Sequence, residues 1–199
     1  MPKVVDRDQR RDEIVQAALE LLGEGGPRLL TMRALGRKLG GSLRLVNHYY
    51  PTRRSLLEGL ESQLTERFTA DLEELDAELS NPNQRLHSFL LWSLTLDDGD
   101  RIEERAWLSL LSAPPEDHDA IASMHRKGAE WTRVQLVSRL AGIVPEEAVQ
   151  LTADRLQILL RGIVVLAAEN PEMWPPDRQI SAMEDMLGQM GLTHVDGDE

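Results

Sequence analysis

The chain contains no cysteine, which excludes disulfides and cysteine-ligated zinc or iron–sulfur centres and gives no pointer to an oxidising compartment. Its first residues lack the apolar stretch of a signal peptide, and no apolar run approaches the ~18 residues of a membrane span. A soluble, cytoplasmic protein with no membrane partner is therefore expected. No segment alternates apolar and polar residues as a half-buried strand would, and there is neither an internal repeat nor a low-complexity tract. Catalytic signatures are missing as well: no glycine-rich phosphate loop after a strand, no H-E-x-x-H pair and no nucleophile elbow. The five histidines are scattered. The best-spaced pair, His118 and His125 beside Asp117 and Asp119, reads as surface residues rather than metal ligands. No catalytic residue, metal or cofactor is expected.

A local absence is more informative. From Arg28 to Arg54 there is no Asp or Glu, while seven basic residues fall there: Arg28, Arg33, Arg37, Lys38, Arg44, Arg53 and Arg54. The whole chain of 199 residues carries a net charge of −12. Residues 1–60 hold eleven Lys/Arg against seven Asp/Glu, net +4, which leaves the remaining 139 residues at −16. Two regions with different partners are implied. An acidic region repels a polyanion, so nucleic-acid contact must come from the N-terminal part.

What is present is helical periodicity. Ile14, Val15, Ala18, Leu19 and Leu22 form one stripe, ended by Gly23 to Pro27,. Thr31 stands as an N-cap before Met32, Leu35 and Leu39, and Gly40-Gly41 breaks this second helix,. Ser42 caps a third, from about Leu43 to Tyr49. After Pro51-Thr52, leucines at helical spacing with Phe68 continue to Leu79, a long connecting helix. Further helices are suggested at about 84–96, 101–113, 118–141, 146–168 and 177–190, separated by Gly, Pro, Asn and Asp clusters. The fold class is all-α. The first three helices read as a helix-turn-helix, whose last helix needs an inner face for packing, here Val46 and Tyr50, and an outer face to meet base edges, here Arg44, Asn47 and His48.

The stretch Thr31-Met32-Arg33-Ala34-Leu35-Gly36-Arg37-Lys38-Leu39-Gly40-Gly41-Ser42, followed by Val46-Asn47-His48-Tyr49-Tyr50-Pro51-Thr52-Arg53 and Leu56-Leu57, resembles the DNA-binding motif of the tetracycline-repressor (TetR) family. Asn47 to Tyr50 is most similar to its betaine-regulator (BetI-type) branch. The resemblance implies phosphate contacts for Thr31 and Arg33 and for Tyr49 and Arg53, which stand where the family usually has His and Lys. It implies groove-facing positions for Ser42, Leu43, Arg44, Asn47 and His48, with Arg44 suited to a bidentate contact with guanine. It also implies a double-stranded palindromic operator, a homodimer and a small-molecule inducer.

The acidic remainder is expected to bind that ligand and to dimerise. The sequence suggests Phe89, Trp92, Trp107, Met124 and Trp131 as pocket residues, although taken singly such a residue is more often core packing than ligand contact. For the dimer interface it suggests Leu156, Leu160, Ile163 and Val164 on one helix and Met183, Met186, Leu187 and Met190 on the last. The expected organisation is a DNA-binding domain over 1–52, a ligand-binding and dimerisation domain over 53–193, and a polar tail over 194–199. The functional expectation is a ligand-responsive DNA-binding transcriptional regulator, a repressor by the family's habit. The alternative is an all-helical adaptor that binds protein rather than DNA.

Overall fold

The computed structural model describes residues 7–41 and 43–192, with the side chains of Arg7 and Asp8 excepted. The expected N-cap and groove contact at Ser42 and the expected tail at 194–199 lie outside the described residues. Nine α-helices follow one another among the described residues: α1 (Arg7–Gly25), α2 (Met32–Lys38), α3 (Leu43–Tyr49), α4 (Arg53–Ala77), α5 (Pro82–Trp92), α6 (Asp98–Ser109), α7 (His118–Leu140), α8 (Glu146–Glu169) and α9 (Pro176–Gln189). Two 3₁₀ turns, Leu110–Ser112 and Pro115–Asp117, separate α6 from α7. No strand occurs among the described residues, and none of the helices is long and apolar enough to cross a membrane.

The chain divides into two compact units. One comprises the residues up to Arg67 together with Ile102–Arg126, and the other Phe68–Arg101 together with the residues from Lys127 onward. Both units are discontinuous in sequence, and α4, α6 and α7 each run through a division point.

In the first unit α1 packs on α2 and α2 on α3. The core is the stripe read from the sequence: Ile14, Ala18, Leu35, Val46, Leu56, Leu57 and Leu60 are all fully buried. Thr31 caps α2, its hydroxyl oxygen accepting the Ala34 N–H at 3.0 Å, which satisfies one of the donors every helix start leaves open. At the other end Gly40 adopts φ +63°. The Gly41 N–H then reaches the Gly36 carbonyl and the Gly40 N–H the Arg37 carbonyl, both at 3.0 Å. This six-to-one closure with a left-handed residue makes Gly40 the glycine that the turn into α3 requires.

The second unit is built on Leu72, Leu86, Phe89, Leu90, Leu136, Leu140, Ala153, Leu156, Leu160, Ile163, Met183 and Leu187. Two buried polar arrangements brace it. Gln179, 1% exposed, accepts from the Thr95 N–H at 3.1 Å and donates to the carbonyls of Thr95 at 2.8 Å and Trp174 at 3.0 Å. One amide thereby closes the backbone groups left open beyond α5. Arg139 pairs with Asp76 at 2.5 Å and lies 4.8 Å over the Phe89 ring. Burial pushes the pKa of this guanidinium below its ordinary value, with the Asp76 carboxylate opposing the shift,.

Candidate nucleic-acid interface

The inner face of α3 is set by Val46 at 0% and Tyr50 at 6% exposure. Tyr50 closes the helix onto α4, where Gly59 makes room for it. A methyl group at Gly59 would stand 2.2 Å from the tyrosine Cε1. The phenol donates to the Gln63 side-chain carbonyl, and the Gln63 amide donates to Asp12, both at 3.3 Å. Burial raises the Tyr50 pKa, so the phenol stays protonated as a donor.

With that face anchored, Leu43, Arg44, Asn47 and His48 are exposed and Tyr49 is half-buried, its ring edge-on to His48 at 5.1 Å. Thr31 and Arg33 are exposed at the start of α2. Because the Thr31 oxygen already accepts the Ala34 N–H, its own O–H remains to donate to an anion.

The seven basic side chains divide into two groups. Arg28, Arg33, Arg37 and Arg44 are exposed and form no ion pair among the described residues. The other three meet acids from outside the acid-free stretch. Lys38 bridges back to Glu20 at 2.9 Å and Glu24 at 2.8 Å on α1, and the hydrogen bonds it donates to Glu24 and then Glu20 raise its pKa. Arg54 pairs with Glu58 at 3.0 Å.

Arg53, expected to reach a phosphate, is instead turned inward. It binds Asp117 at 2.6 Å, the Pro27 carbonyl at 2.9 Å and the Leu30 carbonyl. Three of the five N–H donors of the guanidinium are thereby committed to a buried carboxylate and two carbonyls,.

A profile described as bacterial regulatory proteins, tetR family, matches residues 14–60, and one described as BetI-type transcriptional repressor, C-terminal, matches residues 82–191, over half of the chain. The chain is a TetR-family transcriptional regulator of the BetI type. The HTH-type transcriptional regulator BetI of Vibrio atlanticus (strain LGP32) is 24% identical over 192 residues, 94% of each chain. Among solved structures, a transcriptional regulator from Rhodococcus sp. Rha1 superposes with a TM-score of 0.76 at 20% identity, covering 90% of this chain and 94% of that one. A transcriptional regulator from Saccharomonospora viridis in complex with choline gives 0.73 at 14% identity, covering 92% and 97%. The relatives are named as regulators of transcription, not as enzymes. No cluster of three or more His, Asp or Glu suited to a metal occurs among the described residues.

In this TetR-family regulator the pocket candidates do not form one group. Trp92 and Trp131 meet in the second unit, ring centroids 6.1 Å apart, and Phe68 touches both, at 5.3 and 6.0 Å. All three are half-buried. Phe68 was legible only as one more apolar residue in the spacing of α4, and nothing in that spacing marks it as a ring partner. Phe89 stacks on Trp92 at 6.2 Å, but it is wholly buried and belongs to the core. Trp107 and Met124 lie in the first unit. Trp107 stands edge-on to His125 at 4.8 Å, and Met124, 3% exposed, is core.

The dimer candidates need a similar correction. Leu156, Leu160, Ile163, Val164, Met183 and Leu187 are all buried within the single chain, none more than 6% exposed, and Met190 packs against the same core. Much of the apolar girth of α8 is taken up by the core of this chain itself. Of the eight, only Met186 is exposed. The outward apolar residues of α8 are Leu151, Ile158 and Leu166, at 55%, 74% and 38% exposure.

Proposed function

We propose that this TetR-family regulator is a repressor that binds a palindromic operator as a homodimer and leaves it when a small molecule occupies the second unit. The observation that carries the reading is the outer surface of α2 and α3. Four exposed arginines that form no ion pair among the described residues, Arg28 before α2, Arg33 and Arg37 on α2 and Arg44 on α3, accompany a recognition helix whose opposite face is locked down by Val46 and Tyr50. That surface matches a duplex in charge and shape. Arg33, Thr31 and Tyr49 contact phosphates, while Arg44, Asn47 and His48 read base edges, with Leu43 placed for a thymine methyl group. Residues 1–52 form the DNA-reading part, and 53–193 serve ligand binding and dimerisation.

The dimer is held by Leu151, Ile158 and Leu166 of α8, which recur on one side of the helix, with Met186 of α9,. A twofold dimer presents two copies of α3 to successive major grooves about 34–36 Å apart. Phe68, Trp92 and Trp131 line the ligand site, their ring faces suited to apolar, aromatic and cationic groups alike. A ligand that favours one arrangement of the dimer lowers operator affinity by its differential affinity for the two states.

Fluorescence anisotropy of the purified chain on duplex DNA from upstream of its own gene, with scrambled competitor at two salt concentrations, tests the reading. Specific binding that weakens with salt supports it. No binding even at low salt refutes it.

A further inference from the structure

The guanidinium of Arg53 joins three separate segments of the first unit. It opens α4, and it holds the Pro27 and Leu30 carbonyls of the turn between α1 and α2 together with the Asp117 carboxylate before α7. Asp117 is only 6% exposed in its side chain. Its segment is stiffened by Pro114 and Pro115, by the bond from its own N–H to the Pro114 carbonyl at 2.9 Å, and by His118 Nε2 at 2.9 Å from the Ala113 carbonyl,. Arg53 therefore has a preformed, buried counter-charge rather than a surface partner. The α1–α2 turn it holds leads directly into Thr31 and Arg33, so the same bonds fix where α2 begins. The two members of the pair stand at the starts of α4 and α7, the helices that continue into the second unit.

We propose that Arg53 and Asp117 form a latch that positions the reading head for DNA, making Arg53 a positioning residue and Asp117 a buried acid that favours binding of a polyanion. The inference rests on the reading of the chain as a DNA-binding regulator, and it opposes simple electrostatics. Neutralising an acid in a DNA-binding protein ordinarily strengthens binding, and releasing Arg53 from Asp117 would free a cation for phosphate. A latch predicts the reverse sign.

The experiment is anisotropy on the full chain with the upstream duplex, across a salt series, for wild type, Asp117→Asn, Arg53→Lys and Arg53→Ala, with helix content followed by circular dichroism. Asp117→Asn is expected to weaken binding about tenfold or more at unchanged helix content. Arg53→Lys is expected to do the same, because an ammonium cannot span three acceptors in a fixed fork, whereas a phosphate contact would survive that exchange. Arg53→Ala should leave the slope of log K against log salt at its wild-type value, where loss of a phosphate contact would lower it by about one. Arg53→Lys and the salt slope decide the matter even where Asp117→Asn fails to fold. Tighter binding by Asp117→Asn, wild-type binding by Arg53→Lys, or a slope reduced by one overturns the latch. Failure of the wild type to bind any DNA overturns the regulator reading instead.

Discussion

Replacing Gly59 with alanine sets two effects of opposite sign against each other. Alanine in a helix interior is favoured over glycine by about 1 kcal/mol, so the exchange should stabilise α4 if space allowed. It does not, because the new Cβ would lie 2.2 Å from Cε1, 2.9 Å from Cζ and 3.0 Å from the hydroxyl of Tyr50. That ring is 6% exposed and closes α3 against the core, so it cannot swing away without opening a buried site. Overpacking of this kind costs about 1–3 kcal/mol, and an overlap this deep belongs near the upper end. The net expectation for Gly59→Ala is a loss of about 1–2 kcal/mol, a Tm lower by roughly 2–8 °C in a chain of this size, with weaker DNA binding as α3 shifts.

The sign should reverse when the ring is shortened. In a Tyr50→Leu background, which lacks the atoms that clash, Gly59→Ala should raise Tm by about 2–4 °C, the helix-propensity gain alone. Thermal melts by far-ultraviolet circular dichroism on the four members of this cycle measure the coupling directly. A Gly59→Ala single variant that melts at or above wild type, or an equal loss in both backgrounds, refutes the packing argument.

Arg44→Ala should relax discrimination at one base pair by about 1–3 kcal/mol, whereas Arg33→Ala should weaken all duplexes alike and lower the salt slope by about one. Competition anisotropy with single-base operator variants separates the two, and unchanged discrimination in Arg44→Ala removes it from base reading. Gln179→Leu leaves the buried Thr95 N–H and carbonyl unmet. It should cost about 2–4 kcal/mol in a urea melt, and a loss below about 1 kcal/mol would show that the amide is dispensable. Ile158→Glu, at a position 74% exposed, should convert dimer to monomer by sedimentation velocity with helix content retained. Leu156→Glu, at a wholly buried position, should unfold the second unit. A dimer that survives Ile158→Glu places the interface elsewhere.

Local rules were sufficient for a large part of this protein. Helix positions followed from spacing of apolar residues and from Gly, Pro and capping signals, because these act within a turn or two of the chain. Thr31 caps α2, and α3 spans Leu43 to Tyr49, as read. The inward Val46 and Tyr50 and the outward Arg44, Asn47 and His48 followed from a 3.6-residue period, and the acid-free run pointed by composition alone to the stretch that carries the exposed Arg28, Arg33, Arg37 and Arg44.

The tertiary structure decided what depends on partners far apart in sequence. Asp117 lies 64 positions from Arg53, and no local pattern reveals that it neutralises a residue of the basic run. Glu20 and Glu24 likewise reach Lys38 from the preceding helix. For α8 the period identified an apolar circumference, but only packing against α9 and the rest of the core separates buried Leu156, Leu160 and Ile163 from exposed Leu151 and Ile158. Phe68 joined Trp92 and Trp131 for the same reason: spacing tells which face of a helix a residue occupies, and the fold alone tells what that face meets.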